Sequence, residues 1–347
     1  MRATFFRALV MALLVATLAV PAGEMRVLAQ EKQKPKPQEQ KPQEPEPGAA
    51  ISVEVPLVNV DVVVTDNNGN FIPGLKKQNF RVLEDGVPQQ VTNFAPTEAP
   101  ITVVLLMEFS KLAYQYFAYQ STTWSQDFVS QLKKDDWIAL ISFDIKPRLE
   151  LDFTRNKFEV QQHLARMYFP SFTEAALFTA LVDTLDRLKD VKGKKAVVIV
   201  ASGFDTGLGK STLDDALKAC RQTDATIFAV GVSRDIIEYY QLDNVNYYQA
   251  QNQMNAFARA TGGRAWFPRF RGEVPGIFRE VAAHLRNQYS LGYVPSNLKR
   301  DGKMRKIKVE LVDENGDPLP IVDQNNKKVK YQVYAREGYI APKGGVS

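Results

Sequence analysis

Cysteine and histidine are scarce in this 347-residue chain, which has one of the former and two of the latter. A single cysteine, Cys220, cannot form an intramolecular disulfide, so no disulfide framework stabilises the fold. His163 and His284 both lie in amphipathic helical patterns and have no metal-ligand spacing such as H-E-x-x-H. The chain also lacks a nucleophile elbow, so it offers no candidate nucleophile for a hydrolase. We therefore predict that the protein has no catalytic residues and is not an enzyme.

Apolar runs that could belong to a signal peptide or a membrane span are equally scarce. The one candidate lies at the start of the chain. Arg2 and Arg7 precede the apolar run Ala8–Val20, and Val27-Leu28-Ala29 resembles a cleavage site. This pattern predicts a secretory signal peptide over residues 1–29, because the run is too short for a membrane span. No lipid-attachment cysteine follows it. We therefore expect an extracytoplasmic protein, periplasmic or secreted, with no integral membrane segment after cleavage.

Concentrated positive charge is also missing. The net charge of +5 is not gathered into a basic stripe with interleaved aromatic residues, so we expect no nucleic-acid partner. Residues 30–50 are dominated by Glu31–Pro47, which consists of Pro, Gln, Lys and Glu alone and has no apolar side chain to offset the entropy of ordering. They are predicted to form a disordered, flexible linker.

The remaining chain divides by its hydrophobic periodicity. Residues 51–98 and 289–342 alternate with the period of strands, whereas residues 99–288 alternate apolar strands with amphipathic helices. The middle segment predicts an α/β domain with a mainly parallel sheet and helices on both faces. The two outer segments are each too short for a sandwich, so we predict that they pair into one antiparallel β-sandwich with the α/β domain inserted. Residues 343–347 are a tail.

Two strand-flanked turns share the pattern D-x-N-G-x-x-[IL]-P, one starting at Asp66 and one at Asp313. Closely spaced carboxylate and amide oxygens suit Ca²⁺, but the closing Glu of a helix-flanked calcium loop is missing. We interpret both segments as hairpin turns and keep a calcium loop as the alternative.

Polar residues collect where the first apolar strand of the α/β segment ends. The run Ile101–Ser110, ITVVLLMEFS, predicts a strand buried on both faces, and it places Glu108 and Ser110 at the carboxyl end. Ligands of open α/β sheets bind outside the carboxyl ends of the strands. Thr173 and Ser202 occupy equivalent places in later loops. Such oxygen atoms suit a divalent cation.

The order of strands and helices, the strand-end D-x-S-x-S position, the threonine loop and the second strand-end acid position resemble a von Willebrand factor A domain. The flanks VEVPLVNVDVVVTDNNG and QYSLGYVP extend the likeness to the secreted von Willebrand factor A-related family described from acidobacteria. The resemblance implies a Rossmann-like fold, a role in protein interaction or adhesion, and a metal ion-dependent adhesion site.

That adhesion site is degenerate in this sequence. At the D-x-S-x-S positions stand Glu108, Ser110 and Leu112, and the second acid position carries Ser202 with Asp205 three residues later. If a metal binds, the resemblance implies Glu108, Ser110, Thr173 and Asp205 as ligands. Because Mg²⁺ demands near-ideal octahedral oxygen geometry, we predict a metal-free cleft with no cofactor, and keep Mg²⁺ or Ca²⁺ as the alternative.

A protein partner is predicted to bind at this carboxyl edge. The predicted contacts are Glu108, Ser110, Lys111, Thr173, Ser202, Asp205, Tyr239, Tyr240, Tyr247 and Tyr248. The tyrosines lie in a predicted loop at residues 233–250, and tyrosine is favoured at interfaces.

A competing interpretation uses the glycine loop at residues 203–211 as the phosphate site of a nucleotide-binding enzyme. It fails on spacing, because the motif G-x-x-x-x-G-K-S requires glycine where Phe204 stands.

Overall fold

The computed structural model describes residues 57–96, 100–111, 127–167, 172–231, 244–322 and 326–344. The predicted signal peptide and linker lie outside these ranges. Within them, no helix combines the length and the apolar character needed to span a membrane.

Fourteen strands are found in the described residues. In chain order they are β1 (Val58–Asp66), β2 (Phe80–Glu84), β3 (Val87–Gln89), β4 (Val91–Pro96), β5 (Ile101–Glu108), β6 (Trp137–Phe143), β7 (Pro147–Thr154), β8 (Lys194–Val200), β9 (Thr226–Val230), β10 (Ala265–Trp266), β11 (Gln288–Tyr293), β12 (Met304–Leu311), β13 (Tyr331–Tyr334) and β14 (Gly338–Ile340). The α-helices are α1 (Lys157–Arg166), α2 (Leu177–Leu188), α3 (Leu213–Gln222), α4 (Asn244–Thr261) and α5 (Val274–Arg286).

A six-stranded sheet in the order β10-β9-β8-β5-β6-β7 forms the centre of the α/β part. All of its neighbouring strands pair in parallel except β6 and β7, which pair antiparallel. All eight residues of β5 are buried, because its two faces pack into two different hydrophobic clusters. The predicted α/β class and the central position of this strand are confirmed.

Helices cover both faces of this sheet. Residues of α1 and α5 share one hydrophobic cluster with Val103 and Leu105, and α2, α3 and α4 share the other with Val104 and Leu106. Successive residues of a strand point to opposite faces, so an unbroken apolar run suits a strand enclosed by helices on both sides.

Two parts of the sequence-based assignment are wrong. Helix α4 begins at Asn244, although we expected a loop to Ala250 and a helix from Gln253. Its buried residues Tyr247, Ala250 and Met254 have helical spacing. The Asn and Gln residues between them make this helical period hard to detect in the sequence. Strand β7 was not predicted at all, since it is an edge strand with no fully buried residue.

The segments on either side of the α/β part pair with each other. Antiparallel sheets form in the orders β13-β1-β11-β4 and β14-β12-β2-β3, so each sheet contains strands from both ends of the chain. Val60 lies opposite Leu291, and Val82 lies opposite Val309. Residues of both sheets join one hydrophobic cluster. The predicted pairing of the N- and C-terminal β segments is therefore seen.

Both D-x-N-G segments are turns whose first carboxylate is bound by main-chain donors. Asp66 Oδ1 accepts hydrogen bonds from the N–H groups of Asn68 and Asn70, each at 2.8 Å. Asp313 Oδ1 accepts from Asn315 at 2.9 Å and Asp317 at 3.0 Å. These are Asx-type turns, the geometry that the hairpin interpretation requires.

His284 of α5 is packed among aromatic rings. Its ring centroid lies 5.0 Å from that of Phe71, 5.6 Å from Trp266 and 5.7 Å from Tyr334. Burial, with a smaller contribution from the positive charge of Arg264, lowers the pKa of His284 to about 3. The side chain is a neutral part of the core, as its place in an amphipathic helix suggested.

This burial should make stability depend on pH in a defined window. Below the ordinary pKa of 6.5, His284 binds a proton in the unfolded chain but stays neutral in the folded chain. Stability from this group is therefore present above pH 6.5 and lost as pH falls towards 3, by up to about 1.4 kcal/mol per pH unit. Urea unfolding of the wild type and His284→Phe across this window should show a flatter profile for the variant. The matched control is His163→Phe, on α1, and equal slopes for wild type and His284→Phe would contradict the prediction.

Candidate functional site

Three loops meet at the carboxyl edge of the central sheet. They are the segments after β5, after β8 and before α2, and main-chain hydrogen bonds join them. The N–H of Lys111 donates to Phe172 O at 2.8 Å, and the N–H of Thr206 donates to Ala175 O at 2.9 Å. The edge is therefore a connected surface rather than a set of independent loops.

Glu108 lies at the centre of this edge and is 1% exposed. Its Oε1 accepts a hydrogen bond from Ser110 Oγ at 2.6 Å. Its Oε2 accepts from both the main-chain N–H and the Oγ of Ser202, each at 2.6 Å. Three residues that the sequence placed at this edge, Glu108, Ser110 and Ser202, thus form one cluster.

Burial raises the pKa of the Glu108 carboxyl, and the negative charge of Asp205 adds to the effect. Hydrogen bonds from Ser110 and Ser202 act in the opposite direction, because they stabilise the charged form. The balance favours the protonated acid more than for an exposed glutamate.

Asp205 accepts main-chain hydrogen bonds from two segments of the edge. Its Oδ2 accepts a hydrogen bond from the N–H of Phe178, and its Oδ1 accepts from Gly207, both at 2.8 Å. The N-cap position of α2 is Ala176, whose side chain has no acceptor. Asp205 caps this helix from another loop, and a carboxylate at a helix N-terminus is also favoured by the helix dipole.

The other predicted contacts differ in their exposure. Thr173 and Lys111 are exposed, and the N–H of Thr173 donates to Glu174 Oε2 at 3.1 Å. Tyr247 and Tyr248 lie on α4, where Tyr247 is buried and only Tyr248 is open to solvent, at 54% exposure. Burial argues against a direct partner contact by Tyr247, and Glu108, Ser110 and Ser202 are buried as well. Leu112, Tyr239 and Tyr240 lie outside the described residues.

The carboxylate oxygens at this edge already accept hydrogen bonds from the protein. Both oxygens of Glu108 face hydrogen-bond donors, one of them the main-chain N–H of Ser202, and both oxygens of Asp205 face main-chain N–H groups. A cation at this edge would have to share these oxygens with the donors, and Mg²⁺ requires its ligands in octahedral positions at about 2.1 Å. Within the described ranges, no group of three or more His, Cys, Asp and Glu side chains is arranged to hold a metal.

The glycine loop at residues 203–211 packs against α2 and leaves little room for phosphate. The N–H of Ser211 donates to Thr179 Oγ1 at 3.0 Å, and the N–H of Thr212 donates to Asp215 Oδ2 at 2.9 Å in a capping box. A Cβ on Gly209 would come within 2.3 Å of Thr179 Oγ1. A phosphate site uses main-chain N–H groups, and those of Thr206, Gly207 and Ser211 already donate to the protein.

A further acid at this edge was missed by the sequence argument. Asp144 follows β6, is 1% exposed and pairs with Arg148 at 2.7 Å. Its carbonyl accepts the N–H of Ala176 at 2.7 Å, which ties the end of β6 to the start of α2. The sequence could have predicted the position of Asp144, because it directly follows the apolar strand Trp137–Phe143, just as Glu108 ends β5.

Comparison with solved structures finds several neighbours of low identity. A von Willebrand factor type A protein from Catenulispora acidiphila is 10% identical with a TM-score of 0.44, covering 80% of this chain and 73% of that one. The vWF domain of the type V pili tip protein Mfa5 from Porphyromonas gingivalis is 12% identical with a TM-score of 0.42, covering 54% and 95%. Proximal thread matrix protein 1 from mussel byssus, with a zinc-occupied MIDAS motif, is 13% identical with a TM-score of 0.45, covering 57% and 48%.

Such identities do not carry function from one protein to another. None of the curated proteins compared with the chain matches it. The family model of the von Willebrand factor type A domain matches residues 103–261, which span the central sheet from β5 to β9 and helices α1 to α4. Residues 103–261 of this chain form a von Willebrand factor type A domain.

Proposed function

We propose that the chain is an exported, non-enzymatic protein-interaction module that binds a protein partner at the carboxyl edge of its central sheet without a divalent cation. The family supports the general role, because von Willebrand factor type A domains are a protein-interaction and adhesion module type. The observation that carries the metal-free form is the Glu108 cluster, in which Ser110 and Ser202 occupy both carboxylate oxygens. The predicted signal peptide supports export.

Without a cation to bridge the two proteins, side chains around the cluster must supply the contact. Phe172, in the loop before α2, is 42% exposed, and Leu208, in the loop after β8, is 63% exposed. Lys111 is exposed beside Phe172. Exposed apolar side chains surrounded by polar ones are typical of interaction sites, and a few such anchors supply most of the binding free energy.

Cation titration tests the metal-free form. Isothermal titration of the mature chain with Mg²⁺, Mn²⁺ and Ca²⁺ should give no saturable heat, and millimolar cation should leave the melting temperature unchanged, because bound donors already occupy Glu108. A triple variant, Glu108→Asp with Leu112→Ser and Ser202→Asp, restores the family's oxygen set and serves as the positive control. A cation-dependent rise in the melting temperature of the wild type would contradict the proposal.

Partner capture tests the binding edge. Wild-type chain should retain an envelope protein in the presence of a chelator, and Phe172→Glu combined with Leu208→Glu should reduce capture about tenfold, equivalent to about 1.4 kcal/mol. Phe158→Glu is the matched control, because Phe158 is 65% exposed but lies on α1, away from these loops. Equal capture by wild type and edge variant, or loss of capture in the chelator, would count against the proposal.

A further inference from the structure

A polar cavity lies at the amino edge of the central sheet, opposite the carboxyl edge described above. Its volume is about 490 Å³. The turn before β8 and the starts of β8 and β9 form one side, and residues of β1 and β11 form the other. The Glu108 cluster is at the carboxyl ends of the same strands, so this cavity is a separate feature.

Positive charge predominates in this cavity. Five cationic side chains line it, namely Lys189, Lys192, Lys194, Lys195 and Arg336. The carboxylates that line it are Asp61 and Asp224. Asp224 pairs with Lys195 at 2.7 Å, so four cations are left to face one carboxylate.

Two of the remaining cations are at least half-buried and bind only carbonyl groups. Lys194 Nζ donates to Leu285 O at 2.9 Å. Arg336, which is 9% exposed, donates through Nε to Gly338 O at 3.0 Å and through Nη2 to Arg221 O at 3.3 Å. Within the described part of the chain, neither side chain forms an ion pair.

Carbonyl oxygens satisfy donors but do not neutralise charge, and a buried charge without a counter-charge is costly. Burial lowers the pKa of Lys194 to about 8 although Asp61 opposes the shift, and burial also lowers the pKa of Arg336 although Asp224 and Asp61 oppose it. The nearby carboxylates therefore compensate these two positive charges only in part. An anion held between the two side chains would supply the missing negative charge.

We propose that this cavity binds a phosphate or sulfate group through Lys194 and Arg336. Arginine matches the geometry of oxyanions, and lysine supplies a compact positive charge. Lys189 and Lys192 are exposed at the rim and would attract the anion from solution. The proposal is independent of the carboxyl edge, because it uses none of the same residues.

Isothermal titration of the mature chain with sodium phosphate and with sodium sulfate, at constant ionic strength in chloride, tests this site. We expect saturable binding that weakens about tenfold in Lys194→Gln, a loss of about 1.4 kcal/mol, and less in Lys192→Gln. Lys210→Gln is the control, because Lys210 is exposed in the glycine loop at the other edge. Arg336→Gln is left out of the comparison because its buried side chain also supports the fold.

The pH dependence and the source of the anion provide two further readouts. Sulfate keeps its charge at neutral and alkaline pH, so its affinity should fall as pH rises through the Lys194 pKa of about 8. The other charged groups that face this amine are Asp61, Asp136 and Arg286. Cosedimentation with phosphatidylglycerol vesicles, lost in Lys194→Gln, would assign a lipid phosphate. Phosphate binding without cosedimentation would assign a free phosphate group.

Absence of saturable heat with either anion would overturn the proposal. An equal loss of affinity in Lys194→Gln and Lys210→Gln would do the same, since it would indicate attraction by general positive charge. Melting temperatures of the lysine variants, measured in chloride alone, separate a loss of binding from a loss of folding.

Discussion

Replacing Asp136 with alanine should lower the free energy of unfolding by about 3–5 kcal/mol, the range observed when one partner of a buried ion pair is removed. Asp136 is 2% exposed and forms an ion pair with Arg286 at the end of α5. Its Oδ1 accepts the N–H of Ile101 at 3.0 Å, and its Oδ2 accepts the N–H of Lys133 at 2.6 Å. One carboxylate therefore joins the start of β5, the turn before β6 and the last turn of α5.

Urea unfolding measures this effect directly. Glu310→Ala is the matched control, because Glu310 also pairs with an arginine, Arg81, at 2.7 Å but on the surface, where the arginine side chain is 41% exposed. A surface pair contributes less than about 1 kcal/mol, so the control should remain close to wild type. If the two alanine variants lost equal stability, the role assigned to the buried carboxylate would be wrong.

Two substitutions of Glu108 should have opposite effects at neutral pH. Glu108→Ala leaves the N–H and Oγ of Ser202 and the Oγ of Ser110 without this acceptor, and each buried group without a partner costs about 1–3 kcal/mol. We expect a total loss of about 3 kcal/mol or more. Glu108→Gln keeps the size and one acceptor oxygen but carries no charge, so it should be as stable as wild type or more stable.

The sign of the second effect follows from the raised pKa of Glu108. The folded chain binds this proton more tightly than the unfolded chain, whose pKa is near 4.5. The contribution of the Glu108 proton to the free energy of unfolding is therefore fully present below pH 4.5. It is lost as pH rises through the pKa of Glu108 in the folded chain. Glutamine does not titrate, so the difference between Glu108→Gln and wild type should shrink on acidification.

Urea unfolding of wild type, Glu108→Gln and Glu108→Ala at neutral and acidic pH measures both effects. A Glu108→Gln variant as unstable as Glu108→Ala at neutral pH would show that the cluster requires the negative charge. That result would favour a bound cation and would contradict the proposed metal-free edge.

Short-range patterns determined much of the architecture. The unbroken run Ile101–Met107 specifies a strand covered on both faces, because no amphipathic alternation is present to leave one face in water. Period-two alternation at both ends specified the antiparallel strands, which must pair with each other because neither group is large enough alone. Once β5 was central, Glu108 and Ser110 had to lie at the ligand edge.

Contacts between residues distant in the chain were decided only by the tertiary structure. The position of Asp205, three residues after Ser202, suggested an alternative metal ligand, but the sequence did not reveal that its Oδ2 caps α2, which begins 28 residues earlier. The edge strand β7 lacks the buried residues that make a strand visible in sequence.

The cationic cavity shows the same limit. The sequence determined the lysine-rich turn Lys189–Lys195, which by itself looks like a solvated surface segment. Only folding brings Arg336 to it from the far end of the chain. Helical and strand periodicity act over a few residues and can be inferred from sequence, whereas the burial and pairing of a charge depend on every segment packed around it.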